Sequence, residues 1–465
     1  MMAPFRLTNL TRSQEIGANC YLLEVAGRRL ILDCGAHPKL EGRETLPLLE
    51  RLPDLLAGNH LDAIVLTHAH QDHLGSLPLL ARHFPGTPIF ATEATLQLAD
   101  VMLHNSVNVM TRRKEQGQPD YPLFTHREVT SCIKQFRSIP LNLRFSVDGE
   151  RLRPDDRSEV ALCLTDAGHI LGSCMLTVES EGRRFLYSGD VNFEDQTLMI
   201  GARIPDGPFD IVLAESTRGA TPTPPNFSRE SEELRFLQAI QEVFAQGGSV
   251  LVPVFALGKT QELLAMLYKF RKRGLFPECP VYVGGLSTKL TEVHDRLATA
   301  STRQFPGLDL AEAVAPFTLS GRDLLRTPIR PGRIYALSSG MMTENTLSNV
   351  IAPQFLPNPG HGIFFIGYTD PESVAGRLKT IKPGESFMVS PSIEPETLRC
   401  RVETFNFSAH SCREHLLRFI QAAKPAKVVF VHGDPAAQAW LREAGQQLLP
   451  GTEFHQADSG KTLEL

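Results

Sequence analysis

The sequence predicts an α/β protein built from more than one compact region. Three observations carry that expectation. Apolar, β-branched runs alternate with helical patterns along most of the chain. Several of those runs end in a His, Asp or Glu, where an α/β sheet presents its ligand-binding groups. A Pro/Thr-rich break, Thr221-Pro222-Thr223-Pro224-Pro225, separates two styles of alternation.

At 465 residues the chain is long enough for two or three domains with real cores. Its 42% apolar and 21% charged content is that of an ordinary globular protein. No apolar run approaches a membrane span, so no membrane partner is expected. Met1-Met2-Ala3-Pro4-Phe5-Arg6 carries no apolar export region, and the eight cysteines include no C-x-x-C. A reducing, cytoplasmic setting with free thiols follows as the expectation. The net charge of −5 argues against a basic nucleic-acid coat, yet allows a local basic cleft that grips phosphate.

Taken in order, residues 19–25 and 28–33 read as a hairpin turning at Ala26-Gly27. The second strand ends in Asp33-Cys34-Gly35. Asp33 is either a turn former or a carboxylate that orients a ligating His. A helix over 45–56 and a buried strand over 61–66 come next. They lead to Thr67-His68-Ala69-His70-Gln71-Asp72-His73-Leu74-Gly75, and a helix over 74–84 follows. The H-x-H-x-D-H spacing throws His68, His70, Asp72 and His73 into one small volume. Imidazole and carboxylate at that density suit Zn²⁺, with Mn²⁺ or Fe as second choices. Four ligands within six residues can hardly converge on one tetrahedral ion, so two ions side by side are expected. The rest of the chain must complete them.

Further ligands are offered at strand ends. A strand over 160–165 runs into His169, and one over 184–187 leads to Asp190, a carboxylate able to bridge paired ions. A strand over 209–214 delivers Glu215. Beyond the Pro-rich break, α/β alternation continues with helices over 229–245 and 259–273 and a strand over 249–254. Further strands over 280–283, 333–337 and 362–366 end in small-residue loops. Gly258-Lys259-Thr260 is not a phosphate loop, because Pro253 stands where its first Gly is needed. A helix N-terminus near Lys259 still attracts phosphate. The tail returns to the first style. A strand over 403–410 ends in His410, a helix covers 415–423, and a strand over 426–431 ends in His432. His60, His83, His104, His126, His294, His361 and His455 show no such placement and are read as structural.

These residues resemble, in order, the metal motifs of the metallo-β-lactamase superfamily: Asp33, the His68/His70/Asp72/His73 loop, His169, Asp190 and His432. Glu215 in Glu-Ser-Thr, His410 in Phe-Ser-Ala-His and His432 in Val-His-Gly are similar to the extra motifs of its β-CASP branch. Phe255-Ala256-Leu257-Gly258, Ser339-Gly340-Met341-Met342 and Gly367-Tyr368 resemble that branch's inserted domain. Within it the chain looks like the RNA endonuclease subunit of the mRNA 3′-end cleavage machinery and its bacterial and archaeal ribonuclease relatives.

The resemblance implies an αββα sandwich over residues 1–219 and 396–465, with an inserted α/β β-CASP domain over 220–395. It implies one zinc on His68, His70 and His169, another on Asp72, His73 and His432, and Asp190 bridging them. Glu215 would bind and orient His410. A water activated between the ions would attack a phosphodiester of single-stranded RNA, and His410 would act as general acid. Lys259, Ser339, Gly340 and Ser408 are phosphate-contact candidates. A homodimer is left open. Two other classes compete: a lactone or thioester hydrolase of the same superfamily, and a silent RNA-processing scaffold. The first would need neither the insert nor His410, and the second would have lost metal ligands. The chain departs from the family pattern at Lys259, Arg218, Thr343-Glu344-Asn345-Thr346, Thr369 to Ser373 and Cys412. Those positions concern the substrate cleft and the setting of His410.

Overall fold

The computed structural model describes residues 5–13, 15–156, 158–321, 323 and 328–465. Residues 1–4, where no export signal is expected, lie outside them. The chain divides into two units. The first comprises Met1–Asp195, Gly201–Thr223 and Ala409–Leu465, and the second Gln196–Ile200 and Pro224–Ser408.

The first unit stacks two seven-stranded sheets. In one, the order is Thr462–Glu464, Arg6–Asn9, Tyr21–Val25, Arg28–Leu32, Ala63–Val65, Ile89–Ala91, Phe136–Ser138. In the other it is Glu453–Gln456, Lys427–Val431, Ile211–Glu215, Arg183–Tyr187, Cys174–Ser180, Ala161–Asp166, Arg144–Ser146. Strand periodicity explains the stacking. Leu30, Leu32, Ala63 and Val65 face Leu162, Leu164, Phe185, Ile211, Leu213, Val429 and Val431 in one continuous core. The alternate residues Val212, Ala214, Val428 and Phe430 point the other way. They pack on Leu416, Phe419 and Ile420 of helix Arg413–Ala423 and on Leu441 of helix Pro435–Leu448. Burial on both faces is why these strands are apolar throughout rather than alternating.

The second unit is a six-stranded parallel sheet in the order Phe317–Leu319, Val281–Gly284, Ile334–Leu337, Val250–Pro253, Gly362–Phe365, Arg401–Thr404. Val250, Val252, Ile334, Ala336 and Phe364 feed one core, while Leu251, Tyr335, Leu337, Ile363 and Phe365 feed the core on the opposite face. The short segment Gln196–Ile200 joins this unit through Glu262, which is 3% exposed. Its carboxylate accepts the backbone N–H groups of Thr197 at 2.5 Å and Leu198 at 2.9 Å and pairs with Arg229.

Two expected elements differ. The helix over 45–56 is broken into the 3₁₀ turns Gly42–Thr45 and Leu49–Arg51 and the short helix Leu52–Leu56. Pro47 lacks the N–H an interior turn needs, and Pro53 is tolerated only because it stands in a first turn. The strand expected to run to His410 stops at Thr404. It belongs to the second unit, paired in parallel with Gly362–Phe365, so that unit continues to Ser408. Phe405 N still donates to the Phe365 carbonyl at 2.8 Å, where the partner strand ends; Phe405 and Phe407 pack into the second unit's core, and His410 sits in irregular backbone beyond them.

Removing the Glu262 carboxylate takes from the half-buried Arg229 its nearest anion, leaving it Glu233, and leaves two buried backbone donors unpaired. Glu262→Ala is therefore expected to destabilise the second unit by roughly 2 kcal/mol, mostly through the two unpaired donors. Urea unfolding of the full chain measures this. A loss below about 1 kcal/mol would contradict the assignment.

Candidate metal centre

Leu66 and Thr67 leave strand Ala63–Val65, and the chain turns at once into helix Gln71–Leu74, with His70 as its N-cap residue. That turn puts His68 and His70 before the helix and Asp72 and His73 in its first turn. The turn is clamped from outside. Backbone N–H groups of Asn19, Cys34 and Ala36 donate to the carbonyls of Asp72, His73 and Gln71 at 2.8, 2.7 and 2.9 Å. Gly35 makes the clamp close enough, because a Cβ there would stand 1.7 Å from the Asp72 carbonyl oxygen.

His68 Nε2 lies 3.2 Å from His70 Nδ1, and His169 Nε2 lies 3.0 Å from the same atom. Asp190 Oδ2 closes the group, 3.5 Å from His68 Nε2 and 3.7 Å from His169 Nε2. Donors each about 2.1 Å from a tetrahedral ion stand roughly 3.4 Å apart, so these spacings suit one. The second group is Asp72, His73 and His432, with His432 Nε2 at 3.2 Å from Asp72 Oδ2. Asp190 turns its other oxygen to this group: Oδ1 is 3.3 Å from His73 Nε2 and 3.0 Å from His432 Nδ1. Although buried, that oxygen makes no hydrogen bond of adequate geometry. A buried carboxylate oxygen facing two imidazoles without a hydrogen bond is the atom a divalent cation would satisfy.

The outer partners fix the rings. Asp33, fully buried, accepts from His73 Nδ1 at 2.7 Å, from the Tyr187 hydroxyl at 2.8 Å and from Thr67 N at 2.7 Å. It is thus more than a turn residue, although its φ of 57° is also that of one. His169 Nδ1 donates to the Ala409 carbonyl at 2.8 Å, whereas Asn19 Nδ2 stands 3.0 Å from His73 Nε2, the nitrogen that faces Asp190. Holding one ring nitrogen by an outer partner directs the other inward. His432 adopts φ 50°, a left-handed conformation that costs a β-substituted residue energy and is kept where function over-determines it.

Glu215 ends its strand and is 1% exposed. Its Oε1 accepts from Val191 N at 2.8 Å and stands 3.3 Å from His410 Nδ1. The His410 and His169 ring centroids are 4.5 Å apart. Arg218, a departure from the family pattern, donates to the His410 carbonyl at 3.4 Å. His68, His70, Asp72, His73, His169, Asp190, Glu215, His410 and His432 therefore come together, with Asp33 behind them. Thr67, Tyr187 and Asn19 were not singled out from the sequence. Their signal is position alone, since each stands next to or within three residues of a strand end or a ligand.

In the second unit, Lys259 opens helix Lys259–Lys272, and its ammonium is buried against the Phe407 carbonyl. Lys259 and Gly340 line a shallow depression at the carboxyl ends of the parallel strands, with Phe255, Gly367 and Tyr368. Ser339 Oγ accepts from Thr343 N at 2.9 Å. Ser408 closes the unit.

The charges divide the imidazoles. Burial lowers the pKa of His68 and His169, and it brings His70 down to about 4. His73 and His432 feel the same burial, but Asp190, with Asp33 for His73, more than offsets it. His432 is held up at about 10. Burial pushes Asp190 up, yet His432 and His73 outweigh it and hold the carboxyl well below its usual range.

Comparison with known proteins gives three family matches. A "Metallo-beta-lactamase superfamily domain" matches residues 22–215 and a "Beta-Casp domain" residues 260–378. A "Zn-dependent metallo-hydrolase RNA specificity domain" matches residues 396–453. The chain is 31% identical over 451 residues to Cleavage and polyadenylation specificity factor 73 of Drosophila melanogaster, covering 94% of itself and 61% of that protein. It is 29% identical over 440 residues to a ribonuclease of Thermus thermophilus, covering 92% of itself and 93% of that protein. A crystal structure of a protein of unknown function from Enterococcus faecalis V583 superposes with a TM-score of 0.56 at 14% identity, covering 99% of this chain and 100% of that one. Among the described residues no helix is long and apolar enough to cross a membrane.

An ion entering between Asp72, His73 and His432 displaces protons that the carboxylates hold there, whereas His68, His70 and His169 are already neutral at pH 7. Affinity on the first side should rise by about tenfold per pH unit for each proton released, up to the pKa near 10. The other side should be nearly flat above pH 6. Calorimetric zinc titration in two buffers of different ionisation enthalpy counts the protons. Release of none at pH 7 would contradict this division.

Proposed function

This chain belongs to the metallo-β-lactamase superfamily and carries its Beta-Casp and RNA-specificity domains, and from that premise we propose that it is a dinuclear-zinc ribonuclease acting on single-stranded RNA. The observation that carries the proposal is Asp190, one oxygen toward His68 and His169 and the other toward His73 and His432. The metallo-hydrolase family and the His/Asp cluster support use of a divalent metal. One zinc would lie on His68, His70 and His169 and the other on Asp72, His73 and His432, with Asp190 between. Zinc bound there supplies Lewis acidity and a nucleophile at neutral pH.

The chain's own residues do the rest. Asp33 holds His73 with its inner nitrogen presented to the site. Glu215 fixes His410 Nδ1, which leaves the proton for the departing ribose oxygen on Nε2. Glu215 is itself anchored by Val191 N, one residue from Asp190, so the acid and the bridge move together. Lys259, Ser339, Gly340 and Ser408 are proposed to meet the RNA backbone from the second unit. The RNA substrate is supported by the matched RNA-specificity domain and by relatives named as ribonucleases. The chain spans less than two thirds of the fly protein, so that protein's full activity is not transferred.

Zinc content and cleavage of labelled single-stranded RNA, single-stranded DNA and a lactone test the proposal together. Asp190→Ala should lose RNA cleavage with loss of metal. His410→Ala should keep its metal and lose about 10²- to 10⁴-fold in kcat. Full RNA cleavage by Asp190→Ala, or preference for the lactone, would refute it.

A further inference from the structure

A third group of ligating side chains lies in the first unit and shares no residue with the centre described above. Glu194, Cys412 and His415 offer a carboxylate oxygen, a sulfur and an imidazole nitrogen, all within 4.8 Å of one another. Cys412 and His415 stand three apart at the start of helix Arg413–Ala423, which puts them on one face of its first turn. Glu194 is brought in by the segment 191–194. Ser411 N donates to the Val191 carbonyl at 2.8 Å, and Ser411 Oγ accepts from Phe193 N at 2.9 Å.

Within the group the Cys412 sulfur already approaches the His415 ring and the Thr223 side chain, but the imidazole and the carboxylate are not joined. His415 Nδ1 is hidden from solvent and makes no hydrogen bond of adequate geometry. It faces Glu194 Oε1 at 3.6 Å, beyond hydrogen-bond length. That distance is close to the roughly 3.4 Å that separates two donors on one tetrahedral ion. Cys412 is the N-cap residue of its helix and is 4% exposed, with the His415 ring and backbone beside its sulfur. The positive end of an eleven-residue helix favours the thiolate that a metal needs.

We infer that Glu194, Cys412 and His415 form a separate binding site for a thiophilic divalent cation, Zn²⁺ by donor set. Thiolate, imidazole and carboxylate together select zinc over magnesium or calcium. Cys412 stands at a position where the chain departs from the family pattern, so the site is a property of this sequence. An ion there ties the segment carrying Asp190 to the segment carrying His410, because both pairs are separated by only a few residues.

Cobalt substitution tests this without reference to RNA cleavage. The Asp190 centre contains no sulfur, and among the described residues none of the other seven cysteines falls in a metal-ligating group. Metal-stripped full-length protein titrated with Co²⁺ should show a near-ultraviolet thiolate-to-cobalt charge-transfer band. Cys412→Ser should lose the band and bind one equivalent fewer. His415→Gln should weaken it by at least about tenfold in cobalt concentration. Cys163→Ser should leave it unchanged. Absence of the band at saturating Co²⁺, or its survival in Cys412→Ser, would overturn the inference. If Cys412→Ser does not fold, an unchanged titration of His415→Gln overturns it equally.

Discussion

Four buried imidazoles and the buried Asp190, with the half-buried His70 and Asp72, packed around one another are the constraint from which this molecule is built. Asp190 is 2% exposed and faces imidazole on both sides, and one of its oxygens has no hydrogen bond. Burying such groups is costly unless charge is neutralised on the spot. The carboxylates raise the proton affinity of His73 and His432, and divalent cations would neutralise the group fully. The Asp33–His73, Ala409–His169 and Glu215–His410 contacts are the means by which the fold keeps these rings pointed at one volume.

The scaffold answers that need with strand ends. One sheet supplies the His68 to His73 turn and Asp33. The other supplies His169, Asp190, Glu215 and His432. Groups that lie more than three hundred residues apart in sequence, such as Asp72 and His432, meet at 3.2 Å because two sheets share one apolar core. Gly35 shows how little slack exists, since a single methyl would collide with the carbonyl of a candidate ligand.

Much of this was legible in the sequence, for physical reasons. Doubly buried strands such as Val428 to Val431 and Val250 to Pro253 are apolar without interruption, and the α/β class follows from them. The H-x-H-x-D-H turn is dense enough that its chemistry shows without a fold. The helix expected over 45–56 is broken because Pro47 and Pro53 lack the N–H groups that a continuous helix would use. The strand drawn to His410 failed because Phe405 and Phe407 continue the apolar pattern while packing as core residues at the end of the ladder. Outer residues such as Tyr187 and Asn19 were invisible, since a hydroxyl or amide has no pattern until its partner is placed. Cys412 was visible only as a departure, and its neighbours Glu194 and His415 give it a chemical context.

Diffraction from zinc-loaded crystals, recorded at the zinc absorption edge, addresses the central claim most directly. Two anomalous peaks about 3.5–4 Å apart are expected. One should lie among His68, His70 and His169, the other among Asp72, His73 and His432, with Asp190 between. A single peak on that side chain set, or none, would contradict the paired-ion account.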